Sequence, residues 1–108
     1  MPLTRSFNET VRTRAARDPA FRAALFDEAI NRLLAGDSDT AKAALRAYIN
    51  ATIGFAALAK ATGTPPKSLM RMFGPHGNPT AANLFGAIKA LQKKTGVRLK
   101  VRVTSSAA

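Results

Sequence analysis

The 108-residue sequence predicts an all-α protein, a bundle of five to six helices followed by one short C-terminal β-strand. Three observations predict it. Alanine is the commonest residue, Trp is absent, and β-branched residues are sparse before residue 97, a composition that favours helix. Apolar residues recur at i, i+3 and i+4 through most of the chain. Capping residues and glycines divide that pattern into short helix-length segments.

The first helix is predicted over 7–16, with Ser6 and Glu9 at capping-box spacing. Asp18 then caps a second helix with Pro19 at its first position, and Gly36 supplies the stop. Its inward face is Phe21, Leu25, Phe26, Ala29, Ile30, Leu33 and Leu34. Asp37 or Ser38 caps a third, in which Ala41, Ala44, Leu45, Tyr48 and Ile49 form a clean apolar stripe. A short fourth helix runs from Gly54 to Thr62 with Phe55, Leu58 and Ala59 inward, and Gly63 breaks it. Thr64 and Pro65 then read as N-cap and first residue of a fifth helix reaching Phe73, with Leu69 and Met72 inward. Residues 74–79, GPHGNP, are a loop. Thr80 caps the last helix, whose core face is predicted as Leu84, Phe85, Ile88 and Leu91, and Gly96 ends it.

After Gly96 the rhythm changes to period two. In VRLKVRV, residues 97–103, Val97, Leu99, Val101 and Val103 alternate with Arg98, Lys100 and Arg102. No other segment reads as a good strand, which favours over an ordinary hairpin either a partner across a dimer axis, the preferred reading, or no ordered strand at all. One domain is expected over 1–108. It divides into N-terminal helices over 1–50, a second helical unit over 53–95, the basic strand over 97–103 and a tail over 104–108.

Charge is divided sharply along this chain. All six acids, Glu9, Asp18, Asp27, Glu28, Asp37 and Asp39, precede residue 40, where six arginines balance them. The remaining 69 residues carry eleven Lys/Arg and no acid, hence the whole net charge of +11. Such a surface attracts polyanions. Catalysis is not expected, because carboxylates at helix caps do not converge on a metal, there is one histidine (His76), and Tyr48 lies on an apolar stripe. Neither a metal nor a cofactor is expected. With no cysteine, no signal-peptide segment and no apolar run near eighteen residues, the expectation is a cytoplasmic, nucleoid-associated protein without a membrane partner.

Two short helices separated by a glycine-containing break match helix-turn-helix geometry, in which the second helix enters the major groove. With Leu69 and Met72 inward, Pro66, Lys67, Ser68, Met70 and Arg71 face outward. Arg71 can offer a bidentate fork to guanine, Ser68 a hydroxyl, and Met70 an apolar contact to a thymine methyl. His76, Asn78 and the N–H groups after Thr80 are candidate phosphate contacts. Thr64 is first a cap beside them.

The block FAALAKATGTPPKSLMRMF through GNPTAANLFGAIKAL, residues 55–91, resembles the Cro/lambda-repressor (XRE) class of DNA-binding domains. Leu58-Ala59, Gly63, Arg71, Pro79, Leu84 and Ala90-Leu91 fall on its recurrent positions. Many members place Gln at the start of the first motif helix to anchor a phosphate, where this chain has Phe55. The second helix here begins Pro-Pro in place of small polar residues. More narrowly, RDPAFRAAL with YINATIGFAALAKATGTPPKSLMRMFGPHGNPTAANL resembles short host-inhibition-of-growth antitoxins, encoded beside a RelE-like mRNA-cleaving toxin. That resemblance spans roughly residues 2–95. It implies a homodimeric repressor that binds operator DNA and neutralises a toxin. Asp27 and Glu28 are the candidate toxin contacts, since the acidic half suits a cationic partner. The alternatives are a stand-alone phage-type repressor and a nonspecific nucleoid or RNA-binding protein.

Overall fold

In the computed structural model, residues 5–106 are described, with side chains from residue 9 onward. The protein is all-helical: α1 Arg5–Arg17, α2 Pro19–Leu34, α3 Ser38–Ala51, α4 Gly54–Thr62, α5 Pro66–Met72 and α6 Ala81–Thr95. Helix α1 already includes Ser6, so that residue lies inside the helix and does not precede it as a cap. Asp18 caps α2 as expected, its Oδ1 accepting from the Phe21 N–H at 3.1 Å. At the other end Gly36 and Asp37 donate to the carbonyls of Leu33 and Arg32, a full Schellman closure. The Asp37 carboxylate then accepts from the Thr40 N–H at 3.3 Å to start α3. Two acids thus specify helix starts.

Helix α3 is the central element, packed against α1, α2 and α4. Its Leu45, Tyr48 and Ile49 are fully buried, with Phe26, Leu58, Leu69, Phe73 and Leu91 closing around them. The Tyr48 ring stacks on Phe26 at 4.4 Å between centroids, and its hydroxyl donates to Thr95 Oγ1 at 2.7 Å. Thr95 Oγ1 in turn donates to the Leu91 carbonyl, so the one polar atom of this ring is satisfied in the core.

Burial raises the Tyr48 phenol above its ordinary pKa, against smaller lowering contributions from the Thr95 bond and the charge of Arg22. The folded state therefore holds its proton where the unfolded chain releases it, at pH about 10. The stability this group contributes is present below that pH and is lost as pH rises toward the folded value. Tyr48→Phe is expected to cost about 1 kcal/mol near neutrality through the lost hydrogen bond. It should also flatten the alkaline loss of stability, read by urea unfolding of both proteins at about pH 7 and about pH 10.5. Parallel alkaline losses in the two proteins would remove Tyr48 as their cause.

Three expectations for the core and the chain end are corrected. Phe85 is 62 % exposed, and Ala87 takes its place beside Ile88 and Leu91 on the buried face of α6. The two residues after Leu84 in the apolar reading are adjacent in sequence to it or one turn on, and adjacency puts Phe85 about 100° around the helix from Leu84. Leu34, the last residue of α2, is 67 % exposed and lies outside the core. Among the described residues no strand forms: 97–106 have no regular secondary structure, and Val101 and Val103 are 72 % and 95 % exposed. A strand needs a neighbour for its ladder, and a helical chain has none to give. Residues 107–108 of the expected tail lie outside the described residues.

Candidate nucleic-acid interface

Helices α4 and α5 meet through Gly63, Thr64 and Pro65. Gly63 ends α4 in the left-handed region at φ 72°, its N–H donating to the Ala59 carbonyl at 2.8 Å, and only glycine takes that conformation without strain. The start of α5 differs from expectation by one residue. Pro65 is the N-cap, with its carbonyl accepting the first helical bond from Leu69 N–H, and Pro66 occupies the first turn. Thr64 stays outside the helix, half-buried, with its N–H donated to Thr62 Oγ1 at 3.3 Å. Both prolines suit this end of a helix, where N–H groups lack partners in any case.

Seven residues long, α5 is pinned by Leu69, and by Phe73 directly after it, which lies 6.5 Å from the Phe55 ring. That anchoring turns Pro66, Lys67, Met70 and Arg71 to solvent, with Ser68 half-buried between them. Met70 is 50 % exposed, although methionine at helical spacing is usually core. Burial of Leu69 and exposure of its neighbours follow from one rotation of one short helix.

The loop after α5 folds back on the end of that helix. Gly74 N–H donates to the Arg71 carbonyl at 3.1 Å and Gly77 N–H to the Gly74 carbonyl at 3.0 Å. Gly77 sits so close that a Cβ there would collide with the carbonyl oxygens of Arg71 and Met72. Two cations of α3 hold the loop from behind. Lys42 Nζ donates to the Gly77 carbonyl at 2.7 Å, and Arg46 Nη1 to the Phe73 carbonyl at 2.7 Å. Lys42 is also 3.7 Å from Asp39 and only 12 % exposed. His76 and Asn78 flank Gly77 on this clamped loop, both exposed. Thr80 caps α6 as expected, Oγ1 accepting from Asn83 N–H at 3.1 Å, which leaves the N–H groups of exposed Ala81 and Ala82 at the helix start.

Sequence reading did not single out Lys42, Arg46 or Gly77. Lys42 and Arg46 are one turn apart on the polar side of α3, a spacing that ordinarily means a solvated face. Their acceptors lie 35 and 27 residues away, so no local pattern could reveal them.

The other cations of the acid-free half behave differently. Lys60, Lys67, Arg71, Lys89, Lys93, Lys94, Arg98, Lys100 and Arg102 are all exposed and have no carboxylate partner among the described residues. The two adjacent acids of α2 are engaged within their own helix. Asp27 accepts from Asn31 at 3.0 Å and Glu28 pairs with Arg32 at 2.6 Å, both on the exposed side of α2. Among the described residues no three His, Cys, Asp or Glu side chains come together, and no helix is long and apolar enough to cross a membrane. Comparison with protein-family models, curated proteins and solved structures finds no match for this chain.

Proposed function

We propose that this protein is a sequence-specific DNA-binding regulator, with α4 and α5 as a helix-turn-helix, and that it acts as the antitoxin of a RelE-like toxin. One observation carries the DNA half of the reading. The outward face of α5, Pro66, Lys67, Met70 and Arg71, is exposed within a half of the chain whose nine surface cations have no carboxylate partner among the described residues. Arg71 reads base edges, Ser68 and Met70 flank it, and Lys67 holds phosphate. Thr64, His76, Asn78 and the start of α6 behind Thr80 line the backbone of the same duplex. The resemblance of residues 55–91 to the Cro/lambda-repressor class supports the same assignment.

A helix of seven residues spans few base pairs, so the reading includes a homodimer on a near-palindromic site with half-sites about one helical turn apart. A duplex selected from a randomised pool provides the probe. If about four to six phosphates are neutralised per monomer, log K falls with log[salt] with a slope of roughly −4 to −5 per monomer. Sedimentation at micromolar concentration with and without that duplex gives the stoichiometry. A monomer that binds one-to-one, or equal affinity for selected and random duplex, overturns the reading.

Toxin contact falls to the neutral half, on α2, where Asp27 and Glu28 are exposed. Reversing both to lysine is expected to weaken toxin binding at least tenfold while leaving operator affinity intact or improved, because added positive charge does not oppose DNA. Folding is little affected, since the Glu28–Arg32 pair is half-exposed and such i,i+4 pairs contribute about 0.3–0.5 kcal/mol. Titration of the two variants against each partner checks it, and operator loss in a folded protein would sink the division of labour.

A further inference from the structure

Residues 97–102 and α2 line a common open groove of about 400 Å³. Ile30 and Leu34 line it from α2 beside Asp27, and the whole of 97–102 lines it from the C-terminal segment, its three cations included. The chain alternates here as an extended strand does: Val97 and Leu99 are half-buried against the core while Arg98 and Lys100 are exposed. Beyond Leu99 the apolar side is open, as the exposures of Leu34, Val101 and Val103 show. The backbone is open as well. Leu99 N–H donates to Gln92 Oε1 at 2.8 Å, but among the described residues no backbone–backbone hydrogen bond involves 97–105.

We infer that this segment is a docking edge for an extended strand of a partner protein in which carboxylates alternate with apolar residues. It goes beyond the function proposed above, in which a cationic partner meets the acids of α2. Apart from the Leu99 N–H, the backbone groups of this segment are free to pair with another extended backbone, which a docked helix or a duplex does not offer. Alternation fixes the partner's pattern. Its apolar residues fall on the side of Leu34, Leu99 and Val101, and its carboxylates fall on the side of Arg98, Lys100 and Arg102.

A second copy of this chain does not fit the same edge. In an antiparallel pair, directly opposite residues share a face. A register that keeps the valines together sets Arg98 against Arg102 and Lys100 against Lys100, or stacks neighbouring cations the same way. Shifting by one residue separates the cations but drives each into the apolar face. Nor does the chain contain an acid after Asp39 to serve as the counter-charge. Charge therefore selects a foreign, acidic strand.

The test uses the full-length protein and end-capped synthetic peptides of about eight residues, long enough to span a typical strand. One alternates Glu and Val, one has the same composition in two blocks, and one alternates Lys and Val. The alternating acidic peptide is expected to bind at least tenfold more tightly than either of the others, by fluorescence anisotropy. It should also slow amide hydrogen exchange between residues 98 and 103 at least tenfold. Lys100→Pro, at an exposed position, removes a ladder donor and should abolish binding without changing helix content, and Lys100→Glu with Arg102→Glu should reverse the preference toward the Lys peptide. Equal binding of alternating and block peptides, or no exchange protection, overturns the proposal. So does concentration-dependent self-association that Lys100→Pro removes. Operator titration of the same variants separates the two readings: a salt slope that falls with loss of Lys100 and Arg102, without peptide binding, assigns the segment to DNA instead. Loss of operator specificity in the unmodified protein would strike the regulator reading and leave the peptide result standing.

Discussion

Gly77→Ala is expected to destabilise the protein by about 3 kcal/mol or more, the largest loss for any one-atom addition in the α5–α6 loop. Overpacking costs about 1–3 kcal/mol where side chains can turn aside. Here the obstacles are the carbonyl oxygens of Arg71 and Met72, which belong to the last turn of α5 and move only if that turn moves. In a domain of this size the change corresponds to a fall in Tm of about 12 °C or more. The Lys42 bond to the Gly77 carbonyl would be lost with it, so operator affinity should fall alongside stability. Lys42→Met separates the two contributions, since it removes the bond and keeps the glycine. Urea unfolding of all three proteins measures the difference. A Gly77→Ala protein with an unchanged midpoint would show that the loop repacks freely and does not position its neighbours.

Arg71→Ala is expected to cost about 1–3 kcal/mol on the selected duplex, a loss of roughly fivefold to 150-fold, and little on random DNA. The side chain is exposed and has no carboxylate partner among the described residues, so folding should be unaffected. Lys67→Ala gives the contrast. A phosphate contact weakens binding on every sequence alike and reduces the salt slope by about 1. Anisotropy titrations of both variants on both duplexes distinguish the roles. Equal losses on selected and random DNA would reduce Arg71 to a phosphate contact.

Much of the helical framework is legible in the sequence because its signals are local. Asp18, Asp37 and Thr80 accept N–H groups three residues on, and Gly63 and Gly96 stop helices in the left-handed region. Each depends on a span of four or five residues. The stripe of α3 is legible for the same reason. Phe85 and Leu34 were misread because periodicity gives a face but not its width, and the width depends on which helix lies opposite. The VRLKVRV segment shows a further limit: its burial alternates from Val97 to Lys100, but pairing depends on a second strand, and none is present among the described residues. At the candidate site, the outward face of α5 follows from spacing alone. The Lys42 and Arg46 contacts could not, since they join residues far apart in sequence.

Those two contacts give α3 a role beyond packing. One of its faces stacks Tyr48 on Phe26 of α2, and another grips the loop that follows α5. A partner on α2 and a duplex on α5 would thus both bear on one helical rod. Where occupancy of one site displaces that rod, the coupling free energy belongs to both sites equally. A toxin that loosened the grip on DNA by some factor would be released by operator DNA by the same factor. The stoichiometry of the two partners would then set how strongly the promoter is held, with no further sensor in the circuit.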